Sequence, residues 1–271
     1  MDDAENEPAT VRQPHRAHQR LQAEVWEPEA EILLDRIGVE PGWTCVDLGC
    51  GAIGILPALA RRVGADGRVI GVDRELDLTR AAREEARREG HANVHLAATD
   101  LLEPSLRPAS FDLVHVRFAL HLREPERAIA QMTSLARPGG WVAVQEPDLS
   151  TWGYEPRCPS WARLRMALTA AIARSGDPSV GRRVPEFLAR AGVEGVETRP
   201  VTLTVPASHP HARLPLAWIA AQHDAILDDG LATERELRAA IADLERHLGH
   251  PDTVMTTPTT IQAWGRRPAN E

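Results

Sequence analysis

Residues 46–54 read Val-Asp-Leu-Gly-Cys-Gly-Ala-Ile-Gly, and this stretch decides the fold class. The apolar residues 43–48 predict a buried strand, and residues 53–63 predict a helix directly after it. Glycines at such a junction let the backbone approach a ligand closely, and the N-terminus of the helix offers free N–H donors. The stretch therefore predicts a ligand-binding loop at the carboxyl end of a strand.

Strand and helix patterns alternate outward from this loop. Strands are predicted over residues 43–48, 68–72, 94–98, 111–116 and 141–145, and helices over residues 53–63, 76–89 and 124–136. Short apolar strands that alternate with helices are typical of a parallel sheet with helices on both faces. The predicted fold class is α/β, doubly wound.

Three carboxylates lie at the carboxyl ends of three consecutive strands of this pattern. Asp47 lies two residues before the first glycine, where its charge would repel a pyrophosphate but accept the ammonium of an amino-acid ligand. Asp73 ends the second strand, where an acidic side chain accepts both ribose hydroxyls. Asp100 follows the third strand, where it accepts from an exocyclic amine, with Leu101 packed beside the ring. The ligand that satisfies all three carboxylates is S-adenosylmethionine.

With these residues in place, the sequence resembles the class I S-adenosylmethionine-dependent methyltransferases, within them the small-molecule type similar to ubiquinone/menaquinone methyltransferases. The resemblance covers residues 30–147 well. It is carried by VDLGCGAIG (46–54), VIGVD (69–73), ATD (98–100), FDLVHVRFALHL (111–122) and LARPGGWVAVQEP (135–147).

The resemblance implies a Rossmann-like sheet of seven strands whose last strand is antiparallel. It implies cofactor contacts at Asp47, Gly49, Gly51, Asp73 and Asp100, and substrate contacts from residues after the fourth and fifth strands. The chain departs from the family at one point. Family members often carry a tyrosine in the N-terminal helix that reaches the methionine carboxylate, whereas the only tyrosine here is Tyr154. Trp26, Gln22 or a backbone amide would take that place.

The remaining segments are interpreted around this core. Residues 1–14 predict a disordered tail, and residues 15–37 predict helices, broken at Glu27-Pro28, that contribute to a lid. The cofactor-binding core is assigned to residues 38–148, 181–206 and 255–271, with strands over 196–205 and 259–265. The other two segments, residues 149–180 and 207–254, are interpreted as helical insertions that lie over the carboxyl edge of the sheet as the lid.

Four further residues are assigned to the cofactor site. Cys50 lies in the glycine loop at a helix N-terminus, as a loop residue or, less favoured, as a reactive thiol. Arg74 follows Asp73, and Leu101 follows Asp100. Arg117 ends the fourth strand, either as an anchor for the cofactor carboxylate or as a member of a structural ion pair.

His121 and Glu146 are the candidate catalytic residues. His121 follows the fourth strand and is suited to take a proton from a hydroxyl or amine as methyl arrives, although it would also serve as a helix cap. Glu146 is the second candidate, either contacting the substrate or forming an ordinary strand exit.

Aromatic residues predict an apolar substrate. The chain has seven Trp against three Phe and one Tyr. Trp26, Trp152 and Trp218 lie in the N-terminal helix and the insertions, and Phe118 leaves the fourth strand. We assign these four side chains to substrate binding, with core packing as the alternative for each, and expect an aromatic or isoprenoid substrate.

Composition and charge narrow the choice of partners. The 271 residues include 31 basic and 39 acidic side chains, a formal charge of −8, which argues against nucleic acid or an anionic membrane as the main partner. No apolar run approaches the roughly 20 residues of a membrane span, and the polar first residues resemble neither a signal nor a transit peptide. We expect a cytoplasmic protein, with homodimerisation left open. The spacing of His and Cys indicates no metal.

The predicted function is a methyltransferase acting on an apolar small molecule of bacterial secondary metabolism, with an oxygen, nitrogen or carbon acceptor. One alternative keeps the fold and cofactor but catalyses cyclisation or rearrangement of a natural product. A second alternative is an NAD-dependent oxidoreductase. Asp47 disfavours it, as does the absence of lysine, which rules out a Tyr-x-x-x-Lys pair.

Overall fold

The computed structural model describes residues 9–122 and 124–269 and contains ten strands and nine α-helices within them. The strands are β1 (Thr44–Leu48), β2 (Arg68–Asp73), β3 (Val94–Ala98), β4 (Phe111–Arg117), β5 (Ala136–Asp148), β6 (Gly153–Glu155), β7 (Glu194–Val201), β8 (Thr204–Pro206), β9 (Val254–Thr256) and β10 (Thr259–Arg266). The helices are α1 (Ala9–Ile37), α2 (Leu56–Val63), α3 (Leu76–Arg88), α4 (Pro125–Leu135), α5 (Pro159–Ile172), α6 (Val184–Arg190), α7 (Leu214–Ala221), α8 (His223–Asp228) and α9 (Glu234–Leu248).

Seven strands form the main sheet, in the order β3-β2-β1-β4-β5-β10-β7. Strands β1 to β5 pair in parallel, whereas β10 runs antiparallel to both β5 and β7. The predicted seven-stranded α/β sheet with an antiparallel last strand is confirmed.

The strand order reverses between β1 and β4. From β1 the chain moves outward through β2 to β3, and then returns to build β4 and β5 on the other side. In sheets of this kind a ligand crevice forms outside the carboxyl ends of the strands at the reversal. The glycine loop, residues 49–54, leaves β1 at this point.

Helices cover both faces of the sheet. On one face, Cys45, Leu113, Ala143 and Trp264 form an apolar row that packs against α1 and α2. On the other face, side chains including Val46, Val114 and Val144 pack against α4 and α6. Burial on both faces explains why the central strands are nearly continuous apolar runs in the sequence.

α1 differs from the sequence prediction in two ways. It continues through Pro28 without the predicted break, because a proline removes only one hydrogen bond, and the flanking Trp26, Ala30, Leu33 and Leu34 are all buried. It also begins at Ala9, so the predicted tail over residues 1–14 is wrong for residues 9–14. Extending an existing helix avoids the cost of nucleation. Residues 1–8 lie outside the described residues. Among the described helices, none has the length and apolar character needed to cross a bilayer.

A small sheet that the sequence did not predict forms where the insertions join the core. β6, β9 and β8 pair antiparallel in that order: β6 lies in the first insertion, β8 lies just before the second insertion, and β9 lies at its end. Each of these strands has only three residues, too few for an alternating pattern to be recognised. The strand predicted over 196–205 is divided between the two sheets as β7 and β8. The helical insertion predicted over residues 207–254 contains three helices, α7, α8 and α9, and the last begins with a capping box between Thr233 and Glu236.

Candidate active site

The glycine loop turns sharply at the carboxyl end of β1. Gly49 has φ of 71°, and a Cβ at this position would lie 2.8 Å from the Cβ of Ala119. Gly54 has φ of 54°, and a Cβ there would lie 2.5 Å from Oδ2 of Asp47. Both positions require glycine, since they combine a left-handed backbone with the close approach of a neighbour. The loop thus brings the segment after β4 and the Asp47 carboxylate against its own backbone.

Asp47 is buried, with 1% of its surface exposed. Its Oδ1 lies 2.7 Å from Nδ1 of His115 on the adjacent strand β4, and its Oδ2 accepts from the Ile55 amide at 3.5 Å. The carboxylate is therefore held from the side of the sheet and from the start of α2. His115 was not among the sequence-predicted site residues. The only signal in the sequence was a histidine within an apolar strand. The structure shows that this histidine is in register with Asp47.

Asp73 lies at the end of β2 and binds the glycine loop. Its Oδ2 accepts from the Gly51 amide at 2.9 Å, and its Oδ1 accepts from the Glu75 amide at 3.0 Å. Burial raises the pKa of Asp73, against the lowering effect of these two amides and of the nearby Arg74. Arg74 itself is exposed. A carboxylate has about four lone-pair positions, so both oxygens of Asp73 keep capacity for further donors.

Asp100 and Leu101 follow β3 as predicted. Oδ1 of Asp100 accepts from the Leu102 amide at 2.9 Å. Leu101 is 8% exposed, and its Cδ2 lies 3.8 Å from where a Cβ on Gly49 would be. The two residues therefore adjoin the glycine loop from the side of β3.

Cys50 contributes its backbone to the loop. Its amide and that of Gly49 donate to the Val72 carbonyl at 2.9 and 2.7 Å. The thiol is buried, and this burial, together with the charges of Asp47 and Asp73, raises its pKa well above the ordinary value. A thiolate is disfavoured here, so the structure contradicts the reactive-thiol interpretation.

Arg117 is a buried cation beside the glycine loop. Its Nη2 donates to the Gly54 carbonyl at 2.9 Å, whereas its buried Nη1 has no hydrogen-bond partner among the described residues. Burial lowers the pKa of Arg117 to about 10, and the charges of Asp47 and Glu27 oppose this effect. No carboxylate in the described part of the chain lies within ion-pair distance of it. Of the two sequence-based alternatives, this geometry fits an anchor for a ligand carboxylate.

Glu146 and His121 form a buried pair at the carboxyl edge. Oε1 of Glu146 accepts from the amides of Ala119 and Leu120 at 2.7 and 2.9 Å, and Oε2 lies 3.3 Å from Nδ1 of His121. Glu146 is fully buried and is not among the residues that line the pocket with His121. Its carboxylate holds the turn after β4 and contacts the His121 imidazole, and its predicted role as a substrate contact or a base stays a prediction.

Aromatic side chains surround His121. Trp26 meets Phe118 edge-on with 5.3 Å between ring centroids, and the His121 ring stacks on Trp218 at 5.4 Å and 29°. Trp152 meets Trp218 edge-on at 6.0 Å. The four predicted substrate residues and His121 thus line one cavity of about 30 Å³.

Two residues of the site, His211 and Gln19, were missed from the sequence. His211 lines the aromatic cavity, and neither its neighbours nor its spacing gave a signal. Gln19 on α1 accepts from the Ala52 amide at 2.8 Å, and Gln22 and Trp26 lie on the same helix beside the cavity. These three residues are spaced by one and two helical turns, a pattern that places them on one face. α1 therefore covers both the glycine loop and the aromatic cavity.

The comparisons with known proteins agree with this geometry. Residues 40–175, half of the chain, match the family described as Methyltransferase domain. The chain belongs to this family, and the predicted resemblance to methyltransferases is confirmed.

Two curated relatives and one solved structure illustrate the likeness. Nocamycin O-methyltransferase of Saccharothrix syringae is 33% identical over 138 residues, 49% of this chain and 49% of that protein. Demethylmenaquinone methyltransferase of Geobacillus kaustophilus is 25% identical over 193 residues, 66% of this chain and 82% of that protein. The structure of a methyltransferase-like protein from Bacillus halodurans superposes with a TM-score of 0.58 at 15% identity, over 88% of this chain and 97% of that one, and it shows the fold. The chain spans 49% to 60% of the length of three of the curated relatives.

The close approach at Gly54 yields a stability prediction. Gly54→Ala should lower the free energy of unfolding by more than Gly64→Ala, a control with φ of 65° whose added Cβ has nothing within 4 Å. The control carries only the backbone strain of about 1–3 kcal/mol, whereas Gly54→Ala also displaces Asp47. Urea denaturation of both variants measures the difference. Equal losses would contradict the clash.

Proposed function

We propose that this chain binds S-adenosylmethionine at the glycine loop and transfers its methyl group to a hydroxyl of an apolar small molecule, of the kind made in bacterial secondary metabolism. The observation that carries the proposal is His121, which contacts the buried Glu146 and lines a cavity with aromatic walls. The names of the two curated relatives, one an O-methyltransferase and one a quinone methyltransferase, support a small-molecule acceptor.

The residues of the loop region fit the cofactor. Neither Gly49 nor Gly54 has room for a side chain, so the loop backbone is bare at both positions. Asp73 would accept the ribose hydroxyls, Asp100 the adenine amine and Asp47 the ammonium. The unpartnered Nη1 of Arg117 would bind the carboxylate. This assignment gives each charged group of the ligand a partner of opposite charge.

Calorimetry tests the cofactor assignment. The chain should bind S-adenosylhomocysteine and not NAD, because Asp47 repels a pyrophosphate. Asp73→Ala should weaken binding by about 1–3 kcal/mol, the scale of charge-assisted hydrogen bonds lost to a hydroxyl pair. Asp77→Ala, which removes a carboxylate on α3 that pairs with Arg80, is the control and should leave binding unchanged. Tighter binding of NAD than of S-adenosylhomocysteine would refute the assignment.

His121 would act as the general base. The sulfonium supplies an electrophilic methyl group and needs only a nucleophile aligned with the S–CH₃ bond. Glu146 would accept a hydrogen bond from Nδ1–H of His121. This leaves Nε2 without a proton and able to accept the proton of the hydroxyl. The stacked Trp218 fixes the imidazole plane, and the surrounding Trp side chains exclude water.

Variants of this pair test the base. With labelled cofactor and a panel of apolar phenols and hydroxynaphthoquinones, His121→Ala should lower turnover about 10²-fold or more while cofactor affinity stays nearly constant. Glu146→Gln should also lower turnover, since its amide N–H opposes the His121 tautomer that leaves Nε2 free. His95→Ala, an exposed histidine on β3, is the control.

The products of the same assay separate the remaining alternatives. Unchanged turnover in a well-folded His121→Ala protein would refute the base and favour a carbon acceptor, which needs no deprotonation before attack. A product with the same mass as its substrate, and no label, would instead indicate the cyclisation alternative.

We further propose that the insertions, residues 149–180 and 207–254, act with α1 as a lid. The aromatic cavity of about 30 Å³ is far below the roughly 300–1,000 Å³ of a drug-sized site, so an apolar substrate enters only if its walls separate. Three of these walls are α1, the segment around Trp152 and α7. Limited proteolysis should cut the insertions in the free protein and be suppressed by S-adenosylhomocysteine with a bound acceptor. The same cleavage rate in both states would contradict a mobile lid.

A further inference from the structure

A row of polar side chains crosses the main sheet on the face covered by α1. Asp47 on β1 is followed by His115 on β4, Gln145 on β5, Gln262 on β10 and Arg199 on β7, and we call these five residues the buried polar row. The first four are between 0% and 1% exposed. The row lies next to the apolar row of the same face, on the side of the carboxyl edge.

Each neighbour in the row is hydrogen-bonded to the next. His115 Nε2 lies 2.9 Å from the amide nitrogen of Gln145, and the amide nitrogen of Gln262 donates to Oε1 of Gln145 at 2.9 Å. Nη1 of Arg199 donates to Oε1 of Gln262 at 3.1 Å. Nδ1 of His115 lies 2.7 Å from Oδ1 of Asp47. The chain of hydrogen bonds is therefore continuous from Arg199 on β7 to the Asp47 carboxylate.

The two ends fix the direction of every bond. A guanidinium only donates, so Oε1 of Gln262 is the acceptor for Arg199. The Gln262 amide nitrogen also donates to the backbone carbonyl of Glu29 on α1 at 3.0 Å, which only accepts. Gln145 must therefore present its oxygen to Gln262 and its N–H to His115. His115 consequently accepts at Nε2 and donates from Nδ1–H to Asp47.

The row ends at an ion pair between β7 and α1. Arg199 forms an ion pair with the carboxylate of Glu29, and both side chains are largely buried. A buried polar network is stable only when all its members are satisfied, and here donors and acceptors match from one end to the other. The row thus joins Asp47 to the helix that covers the glycine loop and the aromatic cavity.

We propose that His115 is a positioning residue: it holds the Asp47 carboxylate in place for the ammonium of S-adenosylmethionine. The buried polar row imposes the His115 tautomer that does this, with the proton on Nδ1. The assignment rests on the proposed function, because it takes the ligand of Asp47 from there. His115 itself does not reach the ligand site. It acts through Asp47, whose other oxygen is held by the Ile55 amide.

Two substitutions at position 115 separate positioning from packing. The amide nitrogen of asparagine occupies the place of Nδ1, so His115→Asn keeps the donor to Asp47. The amide of glutamine occupies the place of Nε2, so His115→Gln keeps the contact to Gln145 and loses that donor. Both variants remove the imidazole ring, and they differ by one methylene group.

Calorimetry with two ligands supplies the readout. S-Adenosylhomocysteine carries the ammonium that Asp47 would bind, whereas 5′-methylthioadenosine keeps the adenine, ribose and sulfur but lacks the amino-acid group. His115→Gln should bind S-adenosylhomocysteine about 10-fold or more weakly and bind 5′-methylthioadenosine as the parent does. His115→Asn should retain both affinities within about threefold. Val114→Ala, on the other face of β4, controls for lost packing.

The contrary results are equally defined. If both variants lose affinity for both ligands in the same proportion, or if the two variants behave alike, His115 is structural and the proposal is overturned. A parent protein that binds neither ligand would overturn the proposed function, and the positioning role with it.

A measurement on the parent protein keeps the proposal testable if His115→Gln fails to fold. Nitrogen-15 NMR of the labelled imidazole should show His115 protonated at Nδ1 and not at Nε2. Addition of S-adenosylhomocysteine should shift the Nδ1 resonance, and 5′-methylthioadenosine should not. Protonation at Nε2, or equal shifts with the two ligands, would overturn the assignment.

Discussion

The Asp47 carboxylate is 1% exposed at the carboxyl end of the central strand, and a buried charge of this kind is stable only with hydrogen-bond partners. That requirement explains several features around it. It explains a histidine in the middle of the apolar strand β4, and a glycine at position 54, where a Cβ would strike the carboxylate. It also explains Gln145 on β5 and Gln262 on β10, since His115 needs a hydrogen-bond partner and Gln145 in turn needs one.

A second buried carboxylate, Glu146, organises the catalytic side in the same way. It binds the amides of Ala119 and Leu120, so the chain turns directly after β4. This turn places Phe118 in a left-handed conformation with φ of 58°, an expensive geometry for a non-glycine residue and one that recurs at ligand sites. The same carboxylate orients His121. One side chain therefore shapes the cavity wall and sets the tautomer of the candidate base.

The sequence predicted the main sheet and the position of the glycine loop well because both depend on local patterns. Apolar strands buried on two faces and glycines at a strand-to-helix turn are readable without tertiary information. The three-residue strands of the small sheet carried too little pattern, and α1 kept its course through Pro28 because of burial that only the tertiary structure shows.

The site residues also divide into those that local sequence patterns indicate and those that depend on tertiary structure. Asp73 and Asp100 could be placed at the carboxyl edge from the sequence because the first ends β2 and the second lies two residues after β3. His115, Gln145 and Gln262 were missed, since their roles depend on strand pairing: Gln262 lies opposite Gln145 in the antiparallel register although 117 residues separate them. Glu146 was placed at the carboxyl edge, but its contacts with two amides and the His121 imidazole were not predicted, because sequence position shows that a carboxylate lies near an edge and not which groups it binds.

α1 connects the two halves of the site. Its Gln19 binds the glycine loop, its Trp26 packs on Phe118, and its Glu29 anchors the end of the buried polar row. A displacement of this helix that admits an apolar substrate would disturb contacts on the cofactor side as well. The second half of the helix carries the Glu29 contacts together with Ala30, Leu33 and Leu34, which are 1% exposed or less, so this half would resist such a displacement more than the half that carries Gln19. The helix is therefore expected to open at its N-terminal half about a fixed point near Glu29, which leaves Asp47 held while the cavity is exposed.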